Sequence, residues 1–246
     1  MGSTITTDPL RESFAAAGES RLAPSQLLGI KIRLGEGRLA SASCRFWQHV
    51  DLRKLFPEFL LELRSVVHGG LHLMTAARDR AQQLEANDPV AAILAKYLDH
   101  HIAEEAEHEA WLLDDMEFIG MDRDWVLSRP PSPAVATLIG AQYAWILHAH
   151  PVALFGYLIL LEGNPPLIEH LEEIQRKTGY PAEAFRCLRE HAIADPDHIM
   201  ELNRTLDEMP LSPEQTSLVA MSAFHALDSV ANVLDELVER HPTVHG

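Results

Sequence analysis

Residues 98–112 read LDHHIAEEAEHEAWL, and residues 184–202 read AFRCLREHAIADPDHIMEL. The first stretch extends into the spacing Leu94, Leu98, His101, Glu105, His108, Leu112, Ile119, the three-four rhythm of a buried helical stripe. The second has the spacing Ala184, Leu188, His191, Asp195, His198, Leu202. Both stripes have aliphatic ends and a His-carboxylate-His middle. At about 100° per residue, positions i, i+4 and i+7 lie within about 60° of one another, so each polar triplet faces the core side of its helix. The spacing predicts one helix over 89–120 and another over 181–209. Glu104, Glu107 and Glu109 fall off the first stripe and read as solvated. Pro196 removes a hydrogen bond inside the second helix and is expected to kink or unwind it beside Asp195 and His198.

A third element brings one more carboxylate. Glu162 ends the run from Val152 to Leu161, which is apolar on every side and therefore reads as buried on every side. A lone buried carboxylate costs several kcal/mol or takes up a proton, so a cation beside it is the simplest remedy. Gly163-Asn164-Pro165-Pro166 then stops the helix.

The rest of the chain also reads as helices joined by short linkers. Helical segments are expected from about Ala40, from Pro57 to about Leu84, and from Pro133 to about His150. Two more are expected before Gly179, and a last one starts at Ser212-Pro213. Period-two strand patterns are nearly absent. Residues 1–25 read as a flexible arm and 26–246 as one all-α domain, a bundle of about seven helices.

Composition narrows the function. The 246 residues carry 20 basic and 36 acidic side chains, a net charge of −16. Nucleic acids and anionic membrane surfaces would repel such a chain, so neither is expected as a partner. Cys44 and Cys187 cannot build a disulfide framework, which suits a reducing cytoplasm. No apolar run is expected to span a membrane. The 14 histidines are the unusual count. His68 with His72, and His148 with His150, lack a matching carboxylate, though His68 or Glu62 lies within reach of the site. His100, His241 and His245 read as solvated.

His101, His108, His191 and His198 with Glu105, Glu162 and Asp195 make four imidazoles and three carboxylates. Mixed nitrogen and oxygen donors from several helices suit first-row transition metals, and seven donors exceed what one tetrahedral zinc uses. Two octahedral irons fit the count. The competing reading is a metal-free buried polar network around an organic ligand.

The order of these motifs, with the helix around His101–Asp115, resembles the haem-oxygenase-like diiron oxidases and oxygenases. These share their fold with thiaminase II and pyrroloquinoline-quinone synthase. The resemblance spans about residues 40–240 and implies a haem-oxygenase-like bundle. It implies metal ligands at Glu105, His108, Glu162, His191, Asp195 and His198. The first carboxylate lies three or seven residues before the first histidine in different subgroups. Glu105 matches the three-residue spacing, and His101 occupies the other position as an extra ligand or a supporting residue. The resemblance further implies two Fe(II) ions, O2 as co-substrate, and a small acid, amino acid or amine-type substrate. Oxidative decarboxylation, desaturation, C–C cleavage and N-oxygenation are the outcomes it allows, and a homodimer is compatible with it. Arg186 and Arg189 are the cations nearest the site in sequence, and Phe155, Trp145, Tyr143 and Phe224 are expected to line the pocket. Alternatives are a metal-free enzyme, either thiaminase-like with Cys187 as nucleophile or quinone-synthase-like, a haem binder using His49, and a non-enzymatic metal-binding protein.

Overall fold

The computed structural model describes residues 22–242. Most of the expected arm lies outside them, and helix begins at Pro24, inside the arm's expected boundary. Eleven α-helices are present among the described residues, and no strand. They are α1 (Pro24–Gly35), α2 (Gly37–Trp47), α3 (Leu52–Leu84), α4 (Pro89–Glu105), α5 (His108–Phe118), α6 (Arg123–Leu127), α7 (Pro133–His148), α8 (Leu154–Glu162), α9 (Ile168–Thr178), α10 (Arg186–Glu208) and α11 (Pro213–Glu239). Single 3-10 turns precede α8 and α10.

Helix starts follow local chemistry. The Asp88 side chain accepts from the Val90 and Ala91 amides ahead of α4, with Pro89 in the first turn. Ser212 and Gln215 form a capping box on α11, again with a proline following. The long helix α3 starts at Leu52, five residues before the expected Pro57. Pro57 cannot donate to the Arg53 carbonyl, and that carbonyl accepts the Tyr180 hydroxyl at 3.1 Å instead.

Two expected helices differ more. The first breaks between Glu105 and His108, giving α4 and α5. Glu107 and Glu109 thereby open a new helix, at the end where the helix dipole favours carboxylates. The second starts at Arg186 and continues through Pro196 without the expected interruption.

α3 packs on α4, α7 and α5, while α11 packs on α8, α2 and α7. α8 is buried almost throughout, as its all-apolar surface requires. A Cβ at Gly156 would sit 2.0 Å from the Val219 carbonyl oxygen of α11, so only glycine permits this approach. Against the expectation of no membrane-length run, α11 is long and apolar enough to cross a membrane; 56% of that window is buried inside the bundle. The core has two clusters. One gathers around Leu73, Leu94, Leu98 and Phe155, the other around Phe46, Phe56, Leu112 and Phe185. Val66 packs against both, and the polar residues of the two seams meet beside it.

Candidate metal centre

Four helices deliver the polar side chains. α4 supplies His101, Glu104 and Glu105 in its last turns, and α5 supplies His108 as its first residue. Glu162 is the last residue of α8, and α10 carries His191, Asp195 and His198. The Gly163 amide and the Asn164 side chain bond the Ile159 and Leu160 carbonyls, closing α8 just beyond Glu162.

Two groups form, and within each the donor atoms lie within 4.8 Å of one another. One is His101, Glu104 and His198; the other is Glu105, His108 and His191. The imidazoles pair across helices, with ring centroids 5.1 Å apart for His101 and His198 and 4.5 Å for His108 and His191. Glu162 joins the first group: its Oε1 is 3.0 Å from His101 Nε2 and its Oε2 3.7 Å from His198 Nδ1. His198 Nδ1 also lies 3.8 Å from Glu105 Oε1 and 3.9 Å from Asp195 Oδ1. The structure therefore brings together every predicted candidate ligand, His101 included.

Glu104, read as solvated, is exposed, and its Oε2 nevertheless lies 3.4 Å from His101 Nδ1 and 3.9 Å from His198 Nε2. It is the position three residues after His101, and that spacing was the available signal. Glu109 is not free either: it pairs with Arg64 at 2.8 Å and His68 at 2.9 Å. That engagement keeps His68 away from the site, and Glu62 pairs with Arg240 instead. His241, expected to be solvated, bonds Glu58 at 2.6 Å, and His150 bonds Asp88 at 2.9 Å. His245 lies outside the described residues.

The donors suit a metal. His198 Nδ1, Glu162 Oε2 and Asp195 Oδ1 are buried polar atoms without a hydrogen-bond partner. Buried polar atoms ordinarily have one, and here Glu162 Oε2 and Asp195 Oδ1 lie 3.7 and 3.9 Å from His198 Nδ1. His108 Nδ1 approaches Glu105 Oε2 to 2.7 Å. His191 Nδ1 donates to the Cys187 carbonyl at 2.8 Å, which leaves Nε2 as the nitrogen with a free lone pair. Burial holds His191 below the usual imidazole range, and nearby His108 adds to this against the Cys187 hydrogen bond. The neutral ring is the form a metal binds.

Without an ion, protons balance the carboxylates. Burial, with Glu162 and Glu105 nearby, raises Asp195 to about 8. Burial would lower His101, but Glu162 and then Glu105 outweigh it and raise the ring to about 9. Burial likewise opposes ionisation of Glu105, yet the neighbouring His108 ring keeps that carboxyl below its ordinary value.

A cavity of about 190 Å³ opens against Glu105, Glu162, His191 and Asp195. Leu63, Val67, Gly70 and Met74 of α3 form one wall, and Tyr157 and Leu161 of α8 form another. The expected lining of Phe155, Trp145, Tyr143 and Phe224 is not found there. Phe155 is core, Trp145 meets His225 edge-on, Tyr143 packs against the core, and the Phe224 ring covers Gly35. Nor do the expected cations reach it: the Arg186 guanidinium stacks over Trp111 and Arg189 bonds Gln175. His49 accepts the Asp51 amide at the turn before α3.

A profile of iron-containing redox enzymes matches residues 68–231, which include every candidate ligand. The chain belongs to this family. Two solved structures share its fold. One is a domain of unknown function with a haem-oxygenase-like fold from Shewanella denitrificans, 22% identical, with a TM-score of 0.69, covering 96% of this chain and 94% of its own. The other is a TenA homolog from Pseudomonas syringae pv. tomato, 14% identical, with a TM-score of 0.67, covering 97% of this chain and 100% of its own. A comparison with curated proteins finds no match. The family and the haem-oxygenase-like fold thus agree with the resemblance read from the two seams.

Proposed function

We propose that this iron-containing redox enzyme is a non-haem diiron protein that uses O2 to oxidise a small organic substrate. One observation carries the reading: three buried donor atoms without hydrogen-bond partners, His198 Nδ1, Glu162 Oε2 and Asp195 Oδ1, converge from two helices, within a cluster of four imidazoles and four carboxylates. Glu105, His108, Glu162, His191, Asp195 and His198 would hold the irons, with His101 and Glu104 as further donors to the group around His198. Iron, when bound, supplies the electrons and coordination positions that O2 reduction requires.

The chain's own residues do the rest. The Cys187 carbonyl orients His191, and Tyr97 stacks on His101 with ring centroids 5.2 Å apart. The aliphatic walls from α3 and α8 exclude water from the cavity. The thiaminase-like metal-free alternative needs Cys187 as a nucleophile. Its thiol is buried, and burial and Asp115 push its pKa up, the opposite of activation.

Anaerobic reconstitution with Fe(II), followed by dialysis and metal analysis, is expected to give two irons per chain and O2 uptake on exposure to air. Protein that retains no iron, with His108→Ala and His198→Ala indistinguishable from it, overturns the proposal.

A further inference from the structure

The cavity beside the candidate ligands has an outer neighbour. A surface groove of about 630 Å³ is lined by Trp47 of α2, Phe59 of α3, and Leu171 and Ile174 of α9, with Cys44 at its side. Asn164, Pro166 and Leu188 line both spaces. The wall of α3 is shared as well. Phe59 in the groove is followed at helical spacing by Leu63, Val67, Gly70 and Met74 in the cavity, one apolar stripe running inward. From Leu63 to Met74 this stripe covers about 16 Å at about 1.5 Å per residue. A volume of about 190 Å³ drawn out over that length is a slot rather than a round chamber.

Charge and hydrogen bonding are distributed unevenly along this path. Among the described residues, no lysine or arginine lines the inner slot. Its polar groups are the candidate ligands, Asn164 at the shared wall and Tyr157, whose buried hydroxyl has no hydrogen-bond partner. Lys177 at the groove is already bonded to Glu173 at 2.8 Å and to the Trp47 carbonyl at 3.3 Å. A substrate carboxylate or other polar head therefore finds no protein cation inside, and only a bound metal could neutralise it.

We infer that slot and groove form one substrate channel. It takes a molecule with an unbranched apolar chain, whose polar end faces the metal centre and whose chain passes Leu188, Asn164 and Pro166 into the groove. The assignment of the polar end rests on the diiron reading above; the channel itself does not. Tyr157 then offers its free hydroxyl to the polar end, and the neck at Leu188 sets how much chain remains inside.

The test uses Co(II)-loaded protein and n-alkyl hydroxamates of two to twelve carbons. Their heads are read by the cobalt absorption band, and their tails by protection of Cys44, the exposed cysteine, from iodoacetamide. Affinity is expected to rise about three- to fourfold per added methylene while the chain lies in the channel. Short hydroxamates leave Cys44 reactive, and the longest slow its alkylation at least about tenfold. Leu188→Trp is expected to abolish the gain from added methylenes. Asn164→Trp narrows the neck from an exposed position and gives the same result where the Leu188 variant fails to fold. Affinity independent of chain length, or Cys44 unprotected at saturation with the longest chain, overturns the channel. Failure to take up cobalt overturns the diiron reading instead. The channel is then decided on metal-free protein, where 1-decanol protects Cys44 if the inference holds and leaves it reactive if it does not.

Discussion

The two seams carry the same pattern in sequence and solve it with opposite backbones. His101, Glu105 and His108 straddle a break, with α4 ending on Glu105 and α5 starting on His108. His191, Asp195 and His198 lie on one uninterrupted helix, even though Pro196 sits among them. Spacing records where side chains must converge, and the backbone reaches that point by either route. The broken seam has no proline or glycine at its break, and the unbroken one does contain a helix breaker. Local propensity therefore does not decide the outcome here. Between the seams, Asp115 of α5 accepts the Cys187 amide of α10 at 2.8 Å and ties the two helices together.

The largest expected effect comes from removing one histidine from either seam. His108→Ala and His198→Ala should each lower iron affinity by at least about 100-fold, beyond the 10- to 100-fold cost of losing an outer partner. Equilibrium dialysis against Fe(II) measures it, and equal losses from both seams would show that the difference in backbone does not matter to the metal. His101→Gln sharpens the comparison, because His101, unlike its counterpart His191 in the second seam, lies outside the six-ligand set that the resemblance implies. It should weaken iron binding about tenfold, through release of Glu162, and unchanged binding would remove His101 from the centre. Next, Pro196→Ala should raise stability by about 1–3 kcal/mol in urea unfolding, since α10 already runs helically through that position. A lower midpoint would mean that the proline itself shapes the second seam.

The smallest effect concerns the tie between them. Burial raises Asp115 from 3.8 to about 6, against the amide hydrogen bonds from Cys187 and Arg186. The folded value lies above the unfolded one. Its contribution to stability is thus full below pH 3.8 and is lost as pH rises to about 6. Asp115→Asn should flatten the stability profile across that window, as urea midpoints at several pH values would show; an unchanged slope would mean that Asp115 does not titrate there.

The fold class was legible because α8 and the two stripes have apolar surfaces that only a helical core can cover. The predicted ligands were legible for the same reason, since matched polar triplets on buried faces need a common partner. Glu104 was legible only through its three-residue spacing from His101: its approach to His198 follows from the end of α4 and the approach of α10, neither of which is encoded in the stripe around it. The pocket was misplaced because Phe155 and Trp145 look like lining by proximity in sequence, whereas one cavity wall comes from α3, about 70 to 90 residues earlier, and the other from the opposite side of α8, at Tyr157 and Leu161. Arg186 and Arg189 lie near the site along the chain, but the Trp111 ring and the Gln175 amide hold them elsewhere.

Both α4 and α8 end on a carboxylate, Glu105 and Glu162, and neither has a basic residue in its last turn. Each places negative charge at the negative pole of its own helix, which is unfavourable until a cation arrives. A metal ion held there would serve both helices as a shared terminal cap, in the place a lysine or arginine usually takes. Loading the centre should therefore suppress fraying of α8 and slow proteolytic cutting in the exposed Gly163-Asn164 turn that follows it.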